Sequence, residues 1–298
     1  MSGATTSAHR CGHVAIVGRP NVGKSTLLNA LVGHKLSITS KRPQTTRHRI
    51  SAVLSEPQRQ FIFVDTPGFQ TRHHSLLNDR LNRTVRDGLV DVDVIVWVID
   101  AAKLAQADRA VLDLAPAHAR VVAVLNKVDA LSDRNELLPL LARIAALREF
   151  AAIVPVSAEK NIQLDALKEE IAKLLPESGP LFADDQLTDR DERFLAAEFV
   201  REKVFRLVGD EIPYATTVTI DKFEQEGALR RIFASILVDR ASQRAILLGD
   251  KGERMKSISM SARRDLEELF GGPVYLEVWV RVKRGWASDA ATLTRLGF

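Results

Sequence analysis

The chain has 298 residues, 46% hydrophobic and 27% charged, which suits one large or two ordinary globular domains and excludes wholesale disorder and fibrous repeats. One cysteine, Cys11, excludes an internal disulfide framework and a cysteine-only zinc site, and it fits a reducing, cytoplasmic compartment. The 42 basic against 38 acidic residues leave a net charge of +4, too mild to select a partner, and no apolar run nears the roughly eighteen residues that cross a bilayer.

Residues 1–11 read as a small, polar, flexible tail. From 12 to 176, short apolar runs alternate with helix-period segments, the pattern of a mixed, mostly parallel α/β sheet. Strands are expected at 14–17, 50–54, 60–64, 94–99, 121–125 and 153–156, the second and third pairing antiparallel across Glu56-Pro57. The first strand runs into Gly18-Arg19-Pro20-Asn21-Val22-Gly23-Lys24-Ser25 and then the helical stretch from Thr26. That is a G-x-x-x-x-G-K-[ST] loop in its required strand–helix setting. Its glycines let successive N–H groups face phosphate oxygens, with a helix N-terminus behind them. Lys24 reaches the terminal phosphates, and the Ser25 hydroxyl suits Mg²⁺.

Such a loop serves kinases, ATPases and GTPases alike, and the later strand ends decide. Asp65-Thr66-Pro67-Gly68 closes the third strand: Asp65 can hold Mg²⁺ through water, and the Gly68 N–H can meet the γ-phosphate. Phe69 follows, where Ras-like GTPases carry a water-orienting glutamine; a phenyl ring cannot do that, and no general base is assigned. Asn126-Lys127-Val128-Asp129 closes the fifth strand, and Asp129 can accept two hydrogen bonds from guanine, which adenine cannot supply. After the sixth strand, Ser157-Ala158 can offer a backbone N–H to the guanine O6. Four motifs in order, each at a strand's C-terminal end, point to GTP and GDP as ligands.

Residues 177–190, opened by Pro176-Glu177-Ser178-Gly179-Pro180, read as a linker. The stretch 191–298 then follows an α-β-β-α-α-β order. Its first helix is expected at 191–208, with Phe194, Ala197, Val200, Val204 and Leu207 on one side. Between two later helices lies Gly249-Asp250-Lys251-Gly252, a G-x-x-G turn that lets a nucleic-acid backbone approach. Lys251, Arg254 and Lys256 supply phosphate-binding charge, and Ile246, Leu247, Leu248 and Ile258 are expected to line a groove for bases. With 19 basic and 17 acidic residues from 190 onward, binding is expected to be local, not driven by a broad basic surface.

The combination resembles the Era family of GTPases over nearly the whole chain. The carrying residues are the phosphate loop, Gln44-Thr45-Thr46-Arg47-His48-Arg49, the turn running on into Glu253-Arg254, and the ending Gly285-Trp286-Ala287 with Leu296-Gly297-Phe298. The resemblance implies a P-loop GTPase domain followed by a C-terminal α+β KH domain of the second type. It implies a GTP-hydrolysing switch that binds the 3′ end of 16S ribosomal RNA, assists 30S subunit maturation and contacts the membrane peripherally; DNA is not expected as a partner. It further implies that a switch threonine, Thr46 in preference to Thr45, completes the Mg²⁺ shell and that Asn21 helps hold K⁺. Two other readings are a GTPase acting on tRNA or a 50S precursor, and a protein-binding scaffold that its nucleotide merely stabilises.

Overall fold

The computed structural model describes residues 8–40, 42, 45–69, 76–209 and 212–296. Of the expectations above, the tail up to residue 7, Gln44 and the terminal Gly297 and Phe298 lie outside the described residues. The chain divides into two compact units. One comprises Met1–Ser37, Thr46–His73 and Leu81–Asp189; the other Ile38–Thr45, His74–Arg80 and Arg190–Phe298.

The first unit is built on β1 (Arg10–Val17), α1 (Lys24–Val32), β2 (Ile50–Glu56), β3 (Arg59–Asp65), α2 (Leu76–Asp87), β4 (Val94–Asp100), α3 (Gln106–Leu112), β5 (Val121–Asn126), α4 (Leu137–Ala145), β6 (Ala152–Pro155) and α5 (Leu164–Leu174). Helix α2 begins in the other unit, which takes its residues up to Arg80. The strands form one sheet in the order β2-β3-β1-β4-β5-β6, with only β2 antiparallel to its neighbour. All seven residues of β4 are buried, as a central parallel strand covered on both faces requires. Trp97 of that strand stacks on Phe150 at a centroid distance of 5.8 Å.

The segment after α5 is not free. Leu187 accepts from the Val53 N–H at 2.9 Å, and the Asp189 carboxylate accepts from the Ser51 hydroxyl at 2.9 Å. The buried Gln60 carboxamide accepts the N–H groups of Leu181 and Phe182 at 2.8 and 3.0 Å. Residues 181–189 thus lie along the β2–β3 edge and pair its exposed backbone groups.

The second unit holds α6 (Glu192–Leu207), β7 (Thr216–Glu226), β8 (Leu229–Val238), α7 (Ala241–Leu248), α8 (Glu253–Phe270), β9 (Val274–Val282) and α9 (Ala290–Arg295). Its sheet runs β7-β8-β9, with β7 antiparallel and β9 parallel to β8. Asp191 caps α6 by accepting from the Phe194 N–H at 2.7 Å. The expected apolar stripe on α6 needs correction. Phe194 is only half-buried and Leu207 is 42% exposed, whereas Glu198, Arg201, Glu202 and Lys203 are buried. The helix is covered on its polar side as well, because Ile38, Thr39 and Thr45 pack there and the latter two are bonded to its ionised side chains.

Candidate functional site

At the C-terminal end of β1 the chain turns through the phosphate loop into α1. Gly23 adopts φ +98°, and a Cβ there would overlap the Asn126 carboxamide, so only glycine fits. The Lys24 side chain is buried and donates to the Gly18 and Arg19 carbonyls at 3.0 and 2.9 Å. Burial draws its ammonium down to about 8, opposed by the nearby Asp65 charge.

Asp65, at the end of β3, is wholly buried. Its Oδ2 accepts from the hydroxyls of Ser37 at 2.7 Å, Ser25 at 2.8 Å and Thr46 at 3.3 Å, while Oδ1 is buried without a hydrogen-bond partner. Ser25 and Thr46 hydroxyls lie 2.9 Å apart. Burial raises the Asp65 carboxyl; the Ser37 hydroxyl, Lys24, and the Ser25 and Thr46 hydroxyls pull the other way. Hard oxygens converging beside an orphaned carboxylate oxygen suit Mg²⁺, which would also keep Asp65 ionised. Thr45, by contrast, bonds the Ser40 hydroxyl and the Arg42 carbonyl, so of the two adjacent threonines it is Thr46 that meets Ser25 and Asp65.

Thr66 donates to the Ile16 carbonyl at 2.9 Å, locking the third strand end to the first. Gly68 passes so close to Pro20 that a Cβ would stand 2.9 Å from the proline ring. Phe69 packs on the core of its unit, with the Arg86 guanidinium 5.9 Å from its ring centre.

The guanine end is organised by Asn126. Its Nδ2 donates to the Val22 carbonyl at 2.9 Å, and its Oδ1 accepts from the Lys127 and Ala158 N–H groups at 2.9 and 3.0 Å. The Ala158 donor expected to face a base oxygen is therefore engaged within the protein, and the Ser157 N–H is taken by the Ile162 carbonyl at 3.3 Å. What Ser157-Ala158 supplies directly is an anchor for Asn126. Lys127, at φ +66°, reaches back to the Asn21 carbonyl and to Asp100 Oδ2, both at 2.7 Å. Asp129 is exposed, and its carboxylate has no partner among the described residues.

Three contributors escaped the motif reading. Ser37 and Asp108 carried no sequence signal; Asp108 is buried and pairs with Arg19 of the loop at 2.6 Å. Asp100 could have been found, since it ends β4 at the same sheet edge.

In the second unit the turn after α7 places Gly249 at φ +71°, Lys251 at +47° and Gly252 at +83°. Lys251 and Lys256 are exposed and without partners among the described residues, while Arg254 is held to the Ile246 carbonyl. The expected groove lining is corrected here: Leu247 and Ile258 are fully buried in the core between helices and sheet, and Ile246 and Met260 are the exposed apolar residues. A helix has one core-facing side, and Leu247 and Ile258 occupy it. Among the described residues no cluster of three or more His, Cys, Asp and Glu could hold a metal, so the Ser25–Thr46–Asp65 oxygens are the cation candidate.

The chain is similar to known proteins along most of its length. Residues 13–127 match the family model of a 50S ribosome-binding GTPase, and residues 211–287 that of a KH domain. GTPase Era of Nitrosomonas eutropha and that of Bordetella avium are each 53% identical over 294 residues, covering 99% of both chains. Two solved structures superpose with TM-scores of 0.93 at 39% identity, over 97% of this chain and 99% of theirs: Aquifex aeolicus Era bound to GDP and AlF4⁻, and Era with MgGDPNP and nucleotides 1506–1542 of 16S ribosomal RNA.

Proposed function

The chain belongs to the Era family of GTPases, and from that premise we propose that it couples GTP hydrolysis to binding of the 3′ end of 16S ribosomal RNA during 30S subunit maturation. The observation that carries the nucleotide reading is the unpartnered Asp129 carboxylate beside an Asn126 already committed to the phosphate loop. A base with N1–H and a 2-amino group satisfies that carboxylate, and only guanine offers both.

Bound Mg²⁺ would neutralise charge developing on the phosphates, held by Ser25, Thr46 and, through water, Asp65. The loop N–H groups from Gly18 to Thr26, all but Pro20, would cradle the phosphates. Lys24 exchanges its carbonyl partners for phosphate oxygens, and the Gly68 N–H is available to the γ-phosphoryl. Asn21, exposed at φ +66°, is proposed to help hold K⁺ beside the leaving group. Thr66, bonded to the Ile16 carbonyl, and the close approach of Gly68 to Pro20 keep the Thr66-Pro67-Gly68 turn at the loop.

RNA is assigned to the turn Gly249–Gly252 with Lys251, Arg254 and Lys256, where two lysines without partners meet a helix N-terminus and exposed Ile246. No helix of the described residues is long and apolar enough to cross a membrane, and the proposed place of action is the cytoplasm, with peripheral membrane contact kept as the family's implication. Filter binding of an RNA oligonucleotide carrying the 16S 3′ end, with and without Gly252→Asp, tests the reading. A large loss of affinity is expected; equal affinity overturns it.

A further inference from the structure

Helix α6 carries a run of charge that an RNA-binding module does not need for its fold. Glu202 is fully buried and Arg201 is 1% exposed, although burying such groups is costly unless they are paired and bonded. Their bonds lead to one place. Glu202 Oε1 accepts from the Thr39 N–H at 2.9 Å, and Glu202 is also paired with Lys203 and Arg206 at 2.9 and 3.0 Å. Arg206 donates to the Thr39 carbonyl and hydroxyl at 3.0 and 2.8 Å. Arg201, gripped by Glu198 at 2.5 Å, donates to the Thr45 carbonyl at 2.6 Å. Arg42 donates to the Gly209 carbonyl at 2.9 Å, and the Ile38 side chain is fully buried among Ala196, Phe199, Ile232 and Leu266.

All these contacts lie within the second unit, to which Ile38–Thr45 belongs. The next residue along the chain, Thr46, belongs to the first, where its hydroxyl meets Ser25 and Asp65. A peptide group leaves little slack: fixing the Thr45 carbonyl fixes the plane from which Thr46 starts. We propose that Arg201, Glu202 and Arg206 are positioning residues for Thr46, setting how readily its hydroxyl joins the Mg²⁺ site and hence the affinity for Mg²⁺ with a triphosphate. This rests on the nucleotide reading above and adds to it the residues through which the RNA-binding unit acts on the cation.

A buried ionic cluster could equally serve only to hold α6 in place, and the two roles predict different results. Arg206, with its side chain 46% exposed, can be replaced without opening the core. In full-length Arg206→Ala without nucleotide, amide exchange over 38–46 is expected to quicken about tenfold. The Mg²⁺ concentration that half-saturates binding of a non-hydrolysable fluorescent GTP analogue is expected to rise by about tenfold, as for other outer-shell losses. GDP affinity without Mg²⁺ stays unchanged, and Arg206→Lys recovers part of the loss. Arg201→Lys, which keeps the charge but loses the fork, should shift the same midpoint. If Arg201→Lys fails to fold, Arg206→Ala alone decides. Unchanged exchange and an unchanged Mg²⁺ midpoint in folded Arg206→Ala overturn the proposal while leaving GTP binding intact. Failure of the unsubstituted chain to bind the GTP analogue would instead overturn the nucleotide reading.

Discussion

The Asn126 carboxamide donates to the Val22 carbonyl at 2.9 Å, joining two motifs that stand 104 residues apart in sequence. Its oxygen meanwhile gathers the N–H groups of Lys127 and Ala158. One buried side chain thus sets the spacing between the phosphate loop and the base end. Replacing it by alanine leaves the Val22 carbonyl and the Ala158 N–H unpaired, at about 1–3 kcal/mol for each buried group. Asn126→Ala is expected to weaken GDP and GTP equally, by at least about tenfold for each 1.4 kcal/mol. Titration of both nucleotides against the folded variant checks this; a loss confined to one nucleotide contradicts it.

Asp129 should decide which base is taken. With a carbonyl-and-amine group in place of the carboxylate, Asp129→Asn loses its pairing to the guanine N1–H and 2-amino group but can pair with the 2-oxo group of xanthine. Preference is expected to move from guanosine to xanthosine nucleotides by about a hundredfold or more, since two charge-assisted bonds of about 1.5–3 kcal/mol each are at stake. Competition between GTP and XTP measures it, and retained guanosine preference would remove Asp129 from the site.

The two glycines of the RNA turn should respond differently to alanine. Both take a positive φ: Gly252 is left-handed, at a cost of roughly 1–2 kcal/mol in any other residue, while Gly249 pairs φ +71° with ψ −175°, a region open almost only to glycine. At Gly252 a Cβ meets no atom within 4 Å, whereas at Gly249 it would stand 2.7 Å from the Arg254 Cβ. Gly249→Ala is therefore expected to lower the melting temperature more than Gly252→Ala. Calorimetry of the two variants tests the order, and a larger drop for Gly252→Ala would contradict it.

Cys11 is buried in β1, and burial is the main cause raising its thiol above the ordinary range. A thiol held protonated is a poor nucleophile, so iodoacetamide at pH 8 is expected to leave it untouched in the native chain and to label it only once β1 is released. Mass spectrometry across a urea series reads this directly. Rapid labelling of the native chain would refute the buried placement.

Much of the site was readable because phosphate and base recognition is local. Gly18 to Ser25, Asp65 to Gly68 and Asn126 to Asp129 each finish a strand and turn their groups to one sheet edge, and a parallel sheet puts all such ends together. Ser37 and Asp108 were not readable, because each acts across the fold on a motif residue and carries no spacing of its own. The α6 stripe was misread for a related reason: a helical period shows which side is apolar, not that a distant segment will cover the other side. Leu247 and Ile258 were apolar, as the groove reading required, but which side of a helix faces the core is set by the sheet beneath it.

From its residues alone this chain could be recognised as a guanine-nucleotide enzyme joined to a KH module, since strand ends, glycine turns and charge spacing are properties of short segments. Only the folded molecule decided that Thr46 and not Thr45 meets Ser25 and Asp65, and that Thr39 and Thr45 are hydrogen-bonded to charged side chains of α6. Those choices depend on which surfaces pack together and which charges are buried with partners, and such energies arise between segments far apart in the chain.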